Sequence, residues 1–399
     1  MKNNNIVSES NRYLIQNYQR YPIKIVKGSG SWVFDSMGRK YLDFTTGIAV
    51  NNLGHNNSKI NSSIKKQIKK LVHISNLFVI EEQVKFAKEL VKFKPGYKVF
   101  FCNSGTEANE ATFKLARKWG IFNGGRNIII SATGAFHGRT FGSLSATFPK
   151  KYRDGFYPLV PGFKSVELNN IKKLEETVRK NKKIAAIILE PIQGEAGVKF
   201  VDPQYLKKVE ILCKKNNILF ILDEIQVGLG RTGKVYCHQH YKLNPDIISL
   251  AKGLGGGIPC GAIVANSKIA DFLTPGSHGT TMGGNPLAMS AGLSSFKQTT
   301  DKKFLKDVSR KGKLFLNELK KFKKNKFVKD VRGLGLILAI EFFSSDIAKK
   351  FSELCLQNGL LIILTEKFNI RILPPLNVKI SEISKSIKIF DSALGKMHE

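Results

Sequence analysis

The central part of the chain alternates short apolar runs with amphipathic stretches. Between about residues 60 and 290, the runs are KVFFC (98–102), NIIIS (127–131), IAAIIL (184–189), ILFIL (218–222) and DIISL (246–250). Runs that are apolar throughout, rather than at every second position, are typical of parallel strands that helices cover on both faces. The pattern therefore predicts an α/β fold with a mostly parallel sheet.

The two ends of the chain have a different pattern, typical of mixed α+β structure. The C-terminal part contains the strand-like run GLGLILAIEFF (333–343) and the turn-rich RILPPL (371–376). We expect residues 1–60 and 291–399 to form one smaller domain together, and residues 61–290 to form the large domain. A chain of 399 residues, 42% of them hydrophobic, is long enough to bury both cores.

The chain is strongly basic, with a net charge of +33 from 64 Lys and Arg against 31 Asp and Glu. Nucleic-acid-binding proteins gather such cations in one patch or arm. Here the cations are spread along the chain, as in KLFLNELKKF (313–322), where Phe315 and Leu319 share the apolar face of a predicted helix. We expect solvated helix faces and no nucleic-acid partner, while the surplus favours anionic small substrates.

Targeting signals are not evident in the sequence. The chain begins MKNNNIVSES, which has neither the apolar core nor the cleavage site of a signal peptide. The longest apolar runs, such as IAAIIL, are far shorter than a membrane span. Five cysteines are scattered without a CxxC spacing, which is typical of reduced thiols. These features predict a cytoplasmic protein with no membrane partner.

Each predicted strand ends in a loop rich in glycine and polar residues. Because the carboxyl ends of parallel strands meet at one edge of a sheet, we expect these loops to lie together, where ligands bind in such folds. The first loop, NSGTEANE (103–110), leads into a predicted helix with Asn103 or Ser104 as its N-cap, and Gly105 allows close approach. A helix start binds anions such as phosphate, although a plain helix cap has the same sequence.

The next two loops add an aromatic ring, a cation and carboxylates. TGAFHGRT (133–140) brings Phe136 and Arg139 to this edge, where core packing and a surface ion pair are the simpler alternatives. The loop after the third strand adds Glu190 and Glu195. A carboxylate directly after a buried strand is costly unless it has a partner, so both glutamates need one.

Lys252 follows the last apolar run, within SLAKGLGGGIPCG (249–261), and Asp223 directly follows the run before it. Pyridoxal phosphate (PLP) requires an amine for its aldehyde, a carboxylate for its pyridine nitrogen, an aromatic ring for stacking and an anion site for its phosphate. We therefore predict a PLP site in which Lys252 is the covalent anchor, made reactive by a pKa that desolvation lowers. The glycines around Lys252 are expected to leave room for the flat cofactor.

Two other patterns are discounted. GLGRTG (228–233) matches the dinucleotide motif GxGxxG but neither closes a strand nor opens a helix, so a nicotinamide-dependent dehydrogenase is not indicated. Cys237, His238 and His240 are too crowded for a common metal site, and no metal is expected.

Several longer stretches are characteristic of one enzyme family. They are TTGIAVNNLGH (45–55), HISNLF (73–78), FFCNSGTEANEATFKLARK (100–118), GAFHGRT (134–140), LEPIQGEAGV (189–198), LDEIQVGLGRTG (222–233), LAKGLGGGIPCGA (250–262), HGTTMGGNPLAM (278–289) and RILPPL (371–376). On these residues the chain resembles the class III (subgroup II) aminotransferases of PLP fold type I. The resemblance implies a large domain with a mostly parallel seven-stranded sheet flanked by helices, and a smaller α+β domain from both chain ends.

The resemblance also implies roles at the cofactor. Lys252 is the covalent anchor, Asp223 pairs with the pyridine nitrogen and Phe136 stacks on the ring. The remaining cofactor contacts are Gln226 near the ring hydroxyl, Gly105 and Thr106 at the phosphate, and Thr281 at the phosphate of the partner subunit. The last contact implies an obligatory homodimer with shared active sites. Thr106 stands where the family more often has alanine, which would add a phosphate contact.

For the substrates, the resemblance implies two arginines. Arg139 binds the carboxylate remote from the reacting amine of the donor, and Arg371 binds the α-carboxylate of glutamate or 2-oxoglutarate. Glu195 masks Arg371 while the donor is bound, and the incoming acceptor displaces this pair.

The implied reaction transfers the terminal amino group of N-acetylornithine to 2-oxoglutarate by a ping-pong mechanism. It gives N-acetylglutamate semialdehyde and glutamate, in arginine biosynthesis. The stretch GIAVNNLGH (47–55) favours this donor, while N-succinyl-diaminopimelate, succinylornithine, ornithine and 4-aminobutyrate stay open. An aminomutase, which needs no turnover of 2-oxoglutarate, also stays open.

Overall fold

The computed structural model describes residues 2–366 and 368–397. The strands are β1 (Ile25–Ser29), β2 (Trp32–Asp35), β3 (Lys40–Asp43), β4 (Tyr97–Cys102), β5 (Ile128–Ala132), β6 (Phe163–Val166), β7 (Ile184–Leu189), β8 (Ile192–Gln193), β9 (Lys199–Phe200), β10 (Leu219–Asp223), β11 (Ile247–Leu250), β12 (Gly261–Asn266), β13 (Val328–Leu334), β14 (Ile337–Phe342), β15 (Leu360–Leu361), β16 (Ile363–Thr365) and β17 (Asn369–Ile372).

The helices are α1 (Lys2–Tyr13), α2 (Thr46–Ala49, a single left-handed turn), α3 (Ser58–Ile68), α4 (Glu81–Val91), α5 (Gly105–Phe122), α6 (Phe141–Ala146), α7 (Lys150–Arg153), α8 (Ile171–Lys180), α9 (Pro203–Lys215), α10 (Ser267–Ala270), α11 (Pro286–Thr299), α12 (Lys302–Lys320), α13 (Ser345–Gln357) and α14 (Ile380–Gly395). Short 3₁₀ turns lie at Cys237–His240, Lys252–Gly255 and Lys321–Lys324.

The central sheet has seven strands in the order β4-β12-β11-β10-β7-β5-β6. β12 is antiparallel to β4 and β11, and the other neighbours pair in parallel. The predictions of an α/β fold and of a mostly parallel seven-stranded sheet are therefore confirmed. All five predicted strands are present with ends that differ by one residue at most, whereas the sequence pattern did not predict β6 and β12.

Helices cover both faces of the central sheet, which explains why its strands are apolar throughout. In β7, Ile187 and Leu189 pack into a core with α8 and α9, while Ala186 and Ile188 pack into a core with α5. Each fully buried Ile or Leu side chain contributes roughly 1.5–3 kcal/mol to the free energy of unfolding. This packing holds the first residues of α5 at the carboxyl edge of the sheet.

A second hydrophobic core combines both ends of the chain. Leu42 and Phe44 pack there with side chains of α12, α13, α14 and the strands β13, β14, β15 and β17. β15 pairs in parallel with β3, so a C-terminal strand completes the sheet β1-β2-β3-β15. These contacts support the predicted association of the two chain ends, and the boundaries at residues 60 and 290 stay a prediction.

The predicted single strand over residues 333–343 is wrong. The chain forms a hairpin there, in which β13 ends at Leu334 and β14 begins opposite it at Ile337. Gly335 turns the chain with a φ of +58°, in the left-handed region that favours glycine. Because the sequence is apolar on both sides of the turn, hydrophobicity alone does not mark the reversal.

Many of the basic residues lie on solvated helix faces. In α12, Phe315 and Leu319 are buried, while its lysines at 302, 303, 306 and 313 are exposed. Over the described part of the chain, no helix is both long enough and apolar enough to cross a bilayer.

Candidate active site

The carboxyl edge of the central sheet borders a cavity of about 430 Å³. Most of the residues singled out in the sequence line this central cavity: Gly105, Thr106, Phe136, Arg139, Glu195, Asp223, Gln226 and Lys252. Arg371 lies behind Glu195 and Gln226, to which it is hydrogen-bonded. Thr281 does not line the central cavity and is exposed in a separate cavity of about 720 Å³.

The start of α5 forms one end of the central cavity. Ser104 is the N-cap, since its Oγ accepts a hydrogen bond from Glu107 N (3.2 Å), while Glu107 Oε2 accepts one from Asn103 N (2.9 Å). The N–H groups of Gly105 and Thr106 are among the first of the helix and have no intrahelical acceptor. They leave two donors for an anion, as predicted for this loop.

Asp223 ends β10 in a polar cluster beneath the central cavity. Its Oδ2 accepts a hydrogen bond from Asn109 Nδ2 (2.8 Å) and lies 2.8 Å from His137 Nδ1, and its Oδ1 accepts one from Ile225 N (3.1 Å). All of these partners hold the carboxylate in one orientation. Across the parallel strands Asp223 pairs with Ser249, three residues before Lys252, so the carboxylate and the lysine share this edge.

Lys252 begins the 3₁₀ turn after β11 with a φ of +50°, in the left-handed region that non-glycine residues rarely adopt. Such backbone strain is typical of functional positions. Within residues 2–366 and 368–397, its side-chain nitrogen has no hydrogen-bond or ion-pair partner. Burial lowers the pKa of Lys252, and Glu195 offsets this only in part. The amine is therefore desolvated and forms no hydrogen bond or ion pair with the described residues.

The expected role of the glycines after Lys252 is wrong for most of them. A Cβ added to Gly253 would lie 2.1 Å from Asn52 Nδ2, and one added to Gly255 would lie 2.9 Å from Cys260 Cβ. These glycines permit close packing of the turn against the protein, whereas only Gly257 of this cluster lines the central cavity.

Arg371 and Glu195 form an ion pair at the cavity wall. Arg371 Nη1 donates to Glu195 Oε1 (2.7 Å) and to Gln226 Oε1 (3.0 Å). The side chain of Arg371 is 1% exposed and that of Glu195 is 23% exposed. Burial raises the pKa of Glu195, but Arg371, Lys252 and Gln226 together outweigh it and hold that pKa below its usual range. Arg371 Nε is buried without a partner among the described residues, which leaves a donor for a ligand.

Glu190 is the second buried carboxyl group of this wall. Its Oε1 accepts a hydrogen bond from Phe136 N (3.0 Å). Desolvation raises the pKa of Glu190 to about 7, and the nearby charge of Asp223 adds to the effect, while His137 and Lys252 oppose it. This group therefore changes its charge near neutral pH.

Arg139 lies at the exposed rim of the central cavity. Its guanidinium carbon lies 4.4 Å from the ring centroid of Tyr152 and 5.5 Å from that of Phe136. In the described part of the chain no carboxylate lies within ion-pair distance of it. The surface ion pair considered for Arg139 is thus not formed, and its cationic end is available to an anion.

The chain is similar to known enzymes over nearly its whole length. Residues 13–394 match the family model "Aminotransferase class-III". The acetylornithine aminotransferase of Caldanaerobacter subterraneus subsp. tengcongensis is 47% identical over 98% of this chain and 100% of its own length. The chain belongs to the class III aminotransferase family. The predicted family, and with it the prediction of an aminotransferase, is confirmed.

Solved structures of aminotransferases share the fold. An acetylornithine aminotransferase from Elizabethkingia anophelis superposes with a TM-score of 0.88 at 33% identity, covering 99% of both chains. An ornithine aminotransferase from Toxoplasma gondii superposes with a TM-score of 0.94 at 31% identity, covering 99% of this chain and 95% of its own. The latter structure is described as having partial occupancy of PLP at its active site. Class III aminotransferases are PLP-dependent, so the cofactor prediction is confirmed by family membership.

The residues of this class III aminotransferase fit PLP. Lys252 offers a desolvated amine without a protein partner, and the start of α5 offers free N–H groups. Asp223 is oriented by three donors, and Phe136 lines the same cavity. The donor set therefore matches the aldehyde, the phosphate, the pyridine nitrogen and the ring face of the cofactor.

Sequence reasoning missed three residues of this aminotransferase site. His137 and Asn109 orient Asp223, and Tyr152 contacts Arg139. His137 stands beside Phe136 in a loop already singled out, and Asn109 is one helical turn after Gly105, so position offered a signal for both. Tyr152 lies in a segment with no motif, and no sequence signal identified it.

Proposed function

We propose that this class III aminotransferase transfers the terminal amino group of N-acetylornithine to 2-oxoglutarate. The observation that carries the proposal is the Arg371–Glu195 ion pair of 2.7 Å beside Lys252, with a second arginine, Arg139, at the exposed rim of the same cavity. An enzyme of this kind handles one donor whose carboxylate is remote from the amine and one acceptor whose carboxylate adjoins the reacting carbon. The curated relatives named acetylornithine aminotransferase support the choice of donor.

PLP, when bound, supplies an aldehyde that takes the amino group and a ring that accepts electrons. PLP would be held by Lys252, by the N–H groups of Gly105 and Thr106, by Asp223 and by the ring of Phe136. Gln226 is assigned to the ring hydroxyl. Asn109 and His137 orient the Asp223 carboxylate, which would pair with the pyridine nitrogen of bound PLP and keep its ring cationic.

Lys252 is the proposed general acid and base. Burial lowers the pKa of Lys252, which favours the neutral form of Nζ that can take the proton from the amine-bearing carbon of the substrate. The same Nζ would then deliver this proton to the carbon of PLP that carries the aldehyde. Since Nζ has no protein partner in the described ranges, it is free to move between the two positions.

The two arginines are proposed to sort the carboxylates. Arg139 binds the remote carboxylate of the donor, and Arg371 binds the α-carboxylate of 2-oxoglutarate or glutamate. While the donor is bound, Glu195 neutralises Arg371, so that a donor does not bind with its own carboxylate next to the reacting carbon. The acceptor replaces Glu195 with its own carboxylate, which also reaches the free Nε of Arg371.

This masking predicts a specific effect of Glu195→Gln. The amide keeps the size of the side chain but not its charge, so Arg371 is left to attract any α-carboxylate. We expect the ratio of kcat/KM for N-acetylornithine to that for glutamate to fall by about tenfold, equal to about 1.4 kcal/mol. Half-reaction rates with each amine measure this ratio. An unchanged ratio would mean that Glu195 does not mask Arg371.

The proposed assembly is a homodimer, because Thr281 lies outside the central cavity of its own chain on an exposed segment. That position supports a role at the phosphate of the partner subunit. A reducing, cytoplasmic location is also proposed, supported by five buried cysteines that are all free thiols.

A half-reaction assay tests the proposed function. Purified protein is loaded with PLP, and loss of the near-visible absorption is followed after adding one amine without 2-oxoglutarate. Fast loss with N-acetylornithine, and slow loss with ornithine and 4-aminobutyrate, is the expected result. Equal rates with N-succinyl-diaminopimelate would show a second substrate, and no reaction with N-acetylornithine would refute the assignment of the donor.

A further inference from the structure

The hydroxyl of Thr106 contacts the loop that carries Arg139. Thr106 Oγ1 accepts hydrogen bonds from Arg139 N and Thr140 N, each at 3.2 Å, and lies 2.9 Å from Thr140 Oγ1. Thr140 Oγ1 in turn donates to Glu110 Oε1 (2.5 Å). The first turns of α5 are thereby connected to the backbone of the arginine itself.

These contacts use the full hydrogen-bonding capacity of the hydroxyl. A threonine oxygen has two lone pairs and one proton. The two backbone N–H groups take the lone pairs, and the proton faces Thr140 Oγ1, whose own proton is donated to Glu110. The resemblance to the family implies that this hydroxyl adds a phosphate contact, but in the structure its contacts lie with the arginine loop. The backbone N–H of Thr106 remains available for the phosphate.

The loop is closely fitted to this hydroxyl. Gly138 has a φ of +138°, and a Cβ added there would lie 2.4 Å from Thr106 Oγ1. Beyond the arginine, Glu110 Oε1 also accepts a hydrogen bond from Ser143 N (3.0 Å), and Ser143 Oγ donates to Thr106 O (3.1 Å). The segment from Gly138 to Ser143 is therefore attached to α5 at both ends.

The guanidinium of Arg139 depends on this backbone attachment. The side chain is exposed, has no carboxylate partner among the described residues, and has its guanidinium over the rings of Phe136 and Tyr152. Ring contacts at exposed sites contribute roughly 0.5–1 kcal/mol and leave the side chain mobile. The direction in which the arginine enters the cavity is thus decided mainly by where its backbone is held.

We propose that Thr106 is a positioning residue that acts on Arg139 through its hydroxyl. The enzyme is thereby made selective for donors that carry a remote carboxylate. This inference rests on the proposed function, in which Arg139 binds that carboxylate. Thr106 also belongs to the start of α5. Its hydroxyl therefore holds the arginine loop in a fixed position relative to the end of the cavity where the phosphate of PLP would bind.

The test compares Thr106→Val, which keeps the shape of the side chain but not its hydrogen bonds, with Thr106→Ser, which keeps the hydroxyl. N-acetylornithine and n-pentylamine serve as amines with and without the remote carboxylate. For Thr106→Val we expect kcat/KM for N-acetylornithine to fall about tenfold, mainly through KM, which corresponds to about 1.4 kcal/mol. The ratio of kcat/KM for N-acetylornithine to that for n-pentylamine should therefore fall, because n-pentylamine has no carboxylate for Arg139, and Thr106→Ser should recover most of the loss.

Two further readouts separate this role from a phosphate contact. Amide hydrogen exchange of a peptide spanning residues 136–144 should accelerate in Thr106→Val and not in Thr106→Ser. PLP retention during dialysis should stay close to that of the parent. Weakened retention with unchanged exchange would overturn the proposal in favour of a phosphate role, and equal losses with both amines would overturn it in favour of a general structural role.

Failure of the proposed function gives a different result. If the parent protein does not react with N-acetylornithine, the same comparison is made with the carboxylated amine it does accept. Selective loss of that amine in Thr106→Val, with faster exchange over 136–144, would uphold the positioning role without the proposed donor.

Discussion

Replacing Glu190 by glutamine should remove part of the pH dependence of stability in the cofactor-free protein. Glu190 is 7% exposed, and its Oε1 accepts a hydrogen bond from Phe136 N at 3.0 Å. The amide oxygen of Glu190→Gln can accept the same bond, so the substitution removes the charge and keeps this contact, while the longer bond from Gly194 N to Oε2 (3.4 Å) is lost. The loss of that bond affects stability at every pH, so the difference between two pH values isolates the cost of ionising the carboxyl group.

The magnitude follows from the pKa. Burial raises the pKa of Glu190 from 4.5 to about 7, so between these values the folded protein holds a proton that the unfolded chain has lost. The free energy of unfolding must then fall as the pH rises through this window, and it is constant above the folded pKa. The whole shift corresponds to about 3 kcal/mol, of which about 2 kcal/mol falls between pH 5.5 and pH 8.

Urea unfolding at pH 5.5 and pH 8.0 measures this difference. The parent should lose about 2 kcal/mol more than Glu190→Gln between the two pH values. Glu175→Gln is the matched control, because its carboxyl group is exposed on α8, and its pH dependence should equal that of the parent. If the parent and Glu190→Gln show the same pH dependence, the carboxyl group is ionised at both pH values and the reasoning is refuted.

Two further substitutions test how the loops are held. Arg231 is fully buried, and its guanidinium donates to Leu336 O (2.9 Å) and Pro374 O (2.6 Å) from Nη1 and to Asn52 Oδ1 (2.6 Å) from Nη2. In Arg231→Lys a single nitrogen replaces these two, so we expect at least one acceptor to lose its bond and the free energy of unfolding to fall by about 2–4 kcal/mol. Urea unfolding measures it, and a change below about 1 kcal/mol would contradict this account. Gly138→Ala should lower stability by about 1–3 kcal/mol and also raise KM for N-acetylornithine, because its Cβ would displace the Thr106 hydroxyl. An unchanged KM would contradict the link between this loop and donor binding.

Local sequence was sufficient to predict an element of structure where the physical cause of that element is itself local. The run IAAIIL became β7 with its predicted ends, because a continuous apolar run has no solvent face to present. Ser104 became the N-cap of α5 because its side chain serves an N–H group three residues away. The hairpin at Gly335 was missed because its two strands are equally apolar, and only the position of Arg231 O against the turn shows why a glycine stands there.

The sequence by itself determined the α/β class, the parallel order of the strand ends, and thus that Asp223 and Lys252 share one edge of the sheet. Only the tertiary structure decided the contacts between side chains that are remote in sequence. The Arg371–Glu195 pair joins residues 176 positions apart, and the Thr106 hydroxyl binds a loop 33 positions away. Such contacts depend on how the core from both chain ends sits against the central sheet and on the side-chain rotamers there. Neither contact can be predicted from the periodicity of the sequence, because both contacts form only when the separate cores pack together.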